Sequence, residues 1–146
     1  MDVLMSPAEA FAAIALAAVA CDGSVDPHEA ALLRTVLEGR HPYLERSEES
    51  MGRLFEGLLD QLHAEGWREL ISRAIPALSL SQRETALAMA AHLIHGDRKV
   101  SAEEVGLLAE LAAQMGLPDD RGDQILEVIA VLHRDSLDPR SACLGD

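Results

Sequence analysis

Aromatic side chains are scarce in this sequence: two phenylalanines, one tryptophan and one tyrosine among 146 residues. Alanine and leucine dominate instead, which favours close helix-on-helix packing over a β-sandwich. Runs of β-branched residues with period two are missing, so no strand is expected. Cysteine is nearly absent; Cys21 and Cys143 alone cannot build a disulfide framework. Positive charge is also short, with 12 Lys and Arg against 25 Asp and Glu and a net charge of −13. That balance excludes nucleic acid, because neutralising phosphates needs clustered cations. It disfavours anionic membrane surfaces for the same reason. The longest apolar run, Ala10 to Cys21, is too short to span a bilayer. The chain starts acidic at Asp2 and lacks the basic region of a signal peptide. Neither glycine-rich phosphate-loop pattern occurs. These absences point to a cytoplasmic protein with reduced thiols, no stable membrane insertion and no nucleic-acid partner.

What remains is length for one domain with a real core and a series of helix starts and stops. Ser6-Pro7-Ala8-Glu9 opens a first helix with a capping hydroxyl, a proline and a glutamate three past the cap. It runs to about Cys21 and is apolar on nearly every side, so it is expected at the centre. A second helix runs to about Glu38, with Leu32, Leu33, Val36 and Leu37 on one face and Gly39 as a left-handed stop. Ser47 caps a third helix that ends at Gly66, and a short fourth runs from Trp67 to Pro76. Ser81-Gln82-Arg83-Glu84 reads as the capping box of a fifth, ending at His95-Gly96. Ser101 opens a sixth, closed by Gly116, and Asp119-Asp120 starts a seventh carrying Ile125, Val128, Val131 and Leu132. The expected fold is all-α: a single domain of about seven helices in two pseudo-symmetric helix-joint-helix halves. It occupies residues 1–135, followed by a polar tail over 136–146. The first and fifth helices are expected to pack centrally.

Two helix joints stand out. Asp22-Gly23-Ser24-Val25-Asp26-Pro27-His28-Glu29 lies on Asp97-Arg98-Lys99-Val100-Ser101-Ala102-Glu103-Glu104 after a shift of 75 residues. The match extends to Ser6 on Ser81, Glu9 on Glu84 and Leu33 on Leu108. A glutamate at the third helical position leans back over the preceding loop. Asp22 can therefore converge with Glu29, and Asp97 with Glu104. Clustered carboxylates repel unless a cation or proton sits between them. Oxygen ligands suit Mg²⁺, Ca²⁺ or Mn²⁺ better than Zn²⁺. The candidate ligands are Asp22, Glu29, Asp97 and Glu104, with Asp26 and Ser101 as lesser ones. The bland reading stays open beside this one: Asp26 and Ser101 as N-caps, Glu29 and Glu104 as their capping partners. An EF-hand is excluded, because its first ligand positions would fall on Ala18 and Ala20, or on Leu93 and His95.

The phrase Ala-Cys-Asp22-Gly23-Ser-Val25-Asp-Pro-His-Glu29, followed by Leu32-Leu33, resembles the helix joint of the tellurite-resistance TerB family, which also includes the N-terminal region of the DjlA co-chaperone. That family's pattern is an apolar helix and then ADG-x-[VI]-[SD]-x-x-E, with a looser copy downstream. Here Cys21 replaces the alanine, and the second copy has Arg98 where the glycine would stand. The resemblance covers roughly Ala8 to Leu132. It implies an all-helical fold with a pseudo-two-fold and an acidic cluster that binds a metal cation at Asp22, Glu29, Asp97 and Glu104. It further implies a role in tellurite and stress resistance without catalysis. Tellurite is itself an anion, so a chain at −13 is a poor direct ligand for it. An indirect role follows.

His92 and His95, with Cys21 and Asp22 near their repeat equivalents, offer a zinc set; helix-end packing of the two histidines is the plainer reading. No base and orienting group can be assigned to a nucleophile, which makes an enzyme the weakest reading. The rival to cation binding is an acidic helical protein–protein interaction module with no metal. A protein partner and a homodimer are both compatible with the sequence.

Overall fold

The computed structural model describes residues 5–20, 27–96, 100–134 and 136–137. Within them lie seven α-helices and no strand: α1 Pro7–Ala20, α2 Pro27–Glu38, α3 Glu48–Glu65, α4 Trp67–Ala74, α5 Leu80–His95, α6 Ala102–Gln114 and α7 Arg121–Leu132. Short 3-10 turns occupy Tyr43–Glu45 and Ile75–Ala77. None of the described helices is long and apolar enough to cross a membrane.

α1 is the axis. Ala12, Ala13, Ile14, Leu16, Ala17 and Ala18 are all fully buried, so the helix is covered on every side. Alanine faces let neighbouring helices approach closely, and α4 and α5 pack along it most extensively. α7 closes over α5, while α2, α3 and α6 cover the rest. Leu33, Leu37, Met51, Leu58, Leu70, Ile71, Leu87, Ile94, Leu107 and Leu111 complete one continuous core. The expected pairing of the first and fifth helices is thus found, with α4 added as a third central element.

Local grammar holds at three helix starts. Ser6 and Glu9 exchange their reciprocal capping bonds, the Ser6 N–H donating to Glu9 Oε1 and the Glu9 N–H to Ser6 Oγ, both at 3.1 Å. Ser47 accepts from the Ser50 N–H. Ser101 and Glu104 form a full capping box. The fifth helix corrects the expectation. Its cap is Ser79 and its capping partner Gln82, two residues upstream of Ser81 and Glu84. Ser81 lies inside the helix, and Glu84 is drawn into an ion pair with Arg121 of α7. Pro76 ends α4 early enough for the chain to turn through Leu78, and the first available hydroxyl then caps α5.

Gly39 is a second correction. Positive φ occurs at Gly66 and Gly116 among the described glycines, not at Gly39. The Arg40 N–H donates instead to the Leu37 carbonyl, so the last turn of α2 closes as a tight 3-10 turn and no left-handed residue is required. The apolar stripes also depart in part. Leu32 on α2 and Val128 and Leu132 on α7 stay exposed, because no described helix covers those faces.

Candidate functional site

Each acidic joint follows a central helix. α1 ends at Ala20 and α5 at His95. The starts of these helices lie side by side, for Pro7, Ala8 and Phe11 of α1 share a cavity wall with Ser81, Gln82 and Thr85 of α5. Of the expected ligands, Asp22, Asp26 and Asp97 fall outside the described residues, as does Cys21. Glu29, Ser101 and Glu104 are described.

Glu29 stands in the first turn of α2 and is half-buried. At the second joint Ser101 has extended backbone, and its Oγ accepts from the Glu104 N–H at 3.1 Å. Glu104 Oε1 accepts from the Ser101 N–H at 2.8 Å. The structural reason is the start of α6, whose unsatisfied N–H groups draw in both side chains and whose dipole favours a carboxylate. Glu104 is 8 % exposed and is the one charged side chain buried among the described residues. No described Arg, Lys or His lies within ion-pair distance of it. No buried side-chain oxygen among the described residues lacks a hydrogen-bond partner, so the Glu104 Oε2, which makes no such bond, reaches solvent. Among the described residues no three His, Cys, Asp or Glu side chains gather closely enough to hold a metal ion.

Of the zinc set, Cys21 and Asp22 lie outside the described residues, and the two described histidines meet a third. His92 Nδ1 lies 2.9 Å from His133 Nε2, one nitrogen donating and the other accepting. His95 stacks on His133 with ring centroids 5.8 Å apart. The fifth helix therefore sends its histidines to the end of α7. His133 had no sequence signal beyond its place after a helix. Its pKa is lowered from the ordinary histidine value by partial burial first, then by His92 and His95.

Tyr43 is the other residue that sequence reasoning passed over. It is 2 % exposed, and its hydroxyl donates to the Ala8 carbonyl, tying the loop after α2 to the central helix. Burial pushes its phenol up to about 12. Trp67 is half-buried, with the Arg68 guanidinium over its ring.

The family model described as tellurite resistance protein TerB matches residues 8–125. No curated protein and no solved structure matches.

Proposed function

The chain belongs to the TerB family of tellurite-resistance proteins, and from that premise we propose that it binds a divalent cation through the acidic residues of its two helix joints. The ligands are Asp22 and Glu29 from the first joint and Asp97 and Glu104 from the second, with Asp26 and Ser101 in support. The observation that carries this reading is Glu104. It is buried, it lacks a cationic partner among the described residues, and the capping bond engages one of its two oxygens. A buried carboxylate is costly unless charge or hydrogen bonds compensate it. Capping compensates Oε1, and at Oε2 a cation would take the place of solvent. Oxygen donors fit Mg²⁺, Ca²⁺ or Mn²⁺. When bound, the ion would supply positive charge that fastens the two joints; the proposed role is non-enzymatic. Resistance to tellurite, an anion, would then be indirect, through metal sensing or scaffolding.

Calorimetry with Ca²⁺, Mg²⁺, Mn²⁺ and Zn²⁺ is the test. Saturable heat with one of the first three ions, lost in Asp22→Ala plus Asp97→Ala, is the expected outcome. No heat with any ion, or equal heat in the double variant, would falsify the proposal. Equilibrium dialysis showing metal-independent tellurite uptake would overturn the indirect role.

A second reading has its own observation. Val128 and Leu132 of α7 are 64 % and 69 % exposed, an apolar strip on an acidic chain. An interaction module would show the same melting temperature in divalent salts and NaCl at matched ionic strength and would capture a partner protein in a salt-sensitive manner.

A further inference from the structure

A cavity of about 330 Å³, open to solvent along the exposed Arg40, His41, Ser81, Gln82 and Thr85, lies between the start of α1, the loop after α2 and the start of α5. That is near the lower end of the volumes that hold small ligands. Pro7, Ala8, Phe11 and Leu78 supply an apolar wall. No carboxylate lines it. A neighbouring hollow, walled by Val36, Ala88, Met89 and Ile129, shares Arg40 and Thr85 with it and also lacks a carboxylate. In a chain with a net charge of −13, two adjoining hollows that share an arginine and have no acid in their walls are locally cationic.

The polar groups of the cavity are spoken for on one side only. The Tyr43 hydroxyl donates to the Ala8 carbonyl, and the Thr85 hydroxyl to the Ser81 carbonyl. Gln82 Oε1 accepts from the Ser79 N–H. What is left over is mostly donors: the Arg40 guanidinium, the Gln82 amide N–H groups, the Ser81 hydroxyl and the His41 ring. His41 has Glu45 3.8 Å away, outside the cavity. Arg40 has no carboxylate within ion-pair distance among the described residues, in contrast to Arg34, Arg53, Arg68, Arg73 and Arg121. It sits instead 5.8 Å from the centre of the Phe11 ring, a placement that leaves its N–H fork open.

We infer that this cavity binds a small organic monocarboxylate with a short hydrocarbon body. Arg40 takes the carboxylate through paired N–H bonds, the geometry in which arginine binds carboxylates best. The hydrocarbon lies on Phe11, Leu78 and Pro7. Neither acidic joint contributes to this site, so it stands or falls apart from cation binding.

The test is a ¹⁵N-resolved NMR titration of the full chain in buffer with chelator and no divalent ion. The probes are octanoate, octan-1-ol and octylamine. Octanoate should bind saturably, with shifts confined to residues 7–11, 40–43 and 78–85. Octanol should bind about tenfold more weakly and octylamine more weakly still. Arg40→Gln should weaken octanoate about tenfold and leave octanol unchanged, while Arg40→Lys retains part of the loss. Unchanged melting of both variants establishes that the fold is intact. The inference is overturned by equal affinity for octanol and octanoate, by undiminished binding in Arg40→Gln, by shifts centred on α7 instead, or by no binding at all.

Discussion

At the scale of single residues, two side chains make the physics measurable. Tyr43 is the sole tyrosine, so its titration can be followed by tyrosinate absorbance without ambiguity. Burial raises its pKa from 10.0 to about 12. Between those values the folded chain keeps a proton that the unfolded chain has released. The stabilisation is therefore complete below pH 10 and is lost as pH rises through about 12. Absorbance should show a midpoint near 12 in the folded protein; a midpoint near 10 would mean the ring is open to water. Ser101 gives a second check. Ser101→Ala removes the hydroxyl that accepts the Glu104 N–H and should cost about 1 kcal/mol. A thermal melt would fall by about 2–4 °C at this chain size. The fall should occur with and without divalent ions, since capping precedes any ion. If the loss appears only when a cation is present, Ser101 is a ligand first and a cap second.

Elements are held to one another by a few polar clamps over an alanine-lined interface. Arg83 on α5 is the main one. Its Nε donates to the carbonyls of Ile75 and Leu78, and its Nη1 to that of Met115 at the end of α6. It thus holds the link from α4, the start of α5 and the last turn of α6 together, with its charge at the negative pole of α6. Arg83→Met keeps the aliphatic stem but leaves these carbonyls without their charged donor. Denaturant unfolding should register a loss of about 1–3 kcal/mol. Arg83→Lys should recover less than half of it, because a single ammonium cannot span both carbonyl groups. A loss within experimental error for Arg83→Met would show that water replaces the clamp freely.

Across the whole molecule the dominant fact is the net charge of −13. Self-repulsion of this size destabilises the compact state and is screened within about 10 Å at 0.1 M salt. Added NaCl should therefore raise the melting temperature even without specific binding. A cation site predicts more than that. At matched ionic strength, CaCl₂, MgCl₂ or MnCl₂ should add a further rise that grows with ion concentration by mass action and vanishes in Asp22→Ala plus Asp97→Ala. Equal melting curves in NaCl and all three divalent salts at matched ionic strength would leave only screening.

Sequence by itself determined the helical class, the order and approximate limits of the seven helices, and the burial of α1. Those follow from local rules: a capping hydroxyl, a periodic apolar stripe, a glycine or proline stop. They even placed the capping box of Ser101 and Glu104, because both partners lie within one turn. Tertiary structure alone decided which of two nearby serines starts α5. Ser79 and Ser81 are locally similar, and Glu84 was claimed by Arg121 from 37 residues away. It alone brought His133 to His92, buried Tyr43 against Ala8, and left Arg40 between two hollows without an acid. Such meetings depend on how helices far apart in the chain pack side by side, and no spacing along a single helix encodes them.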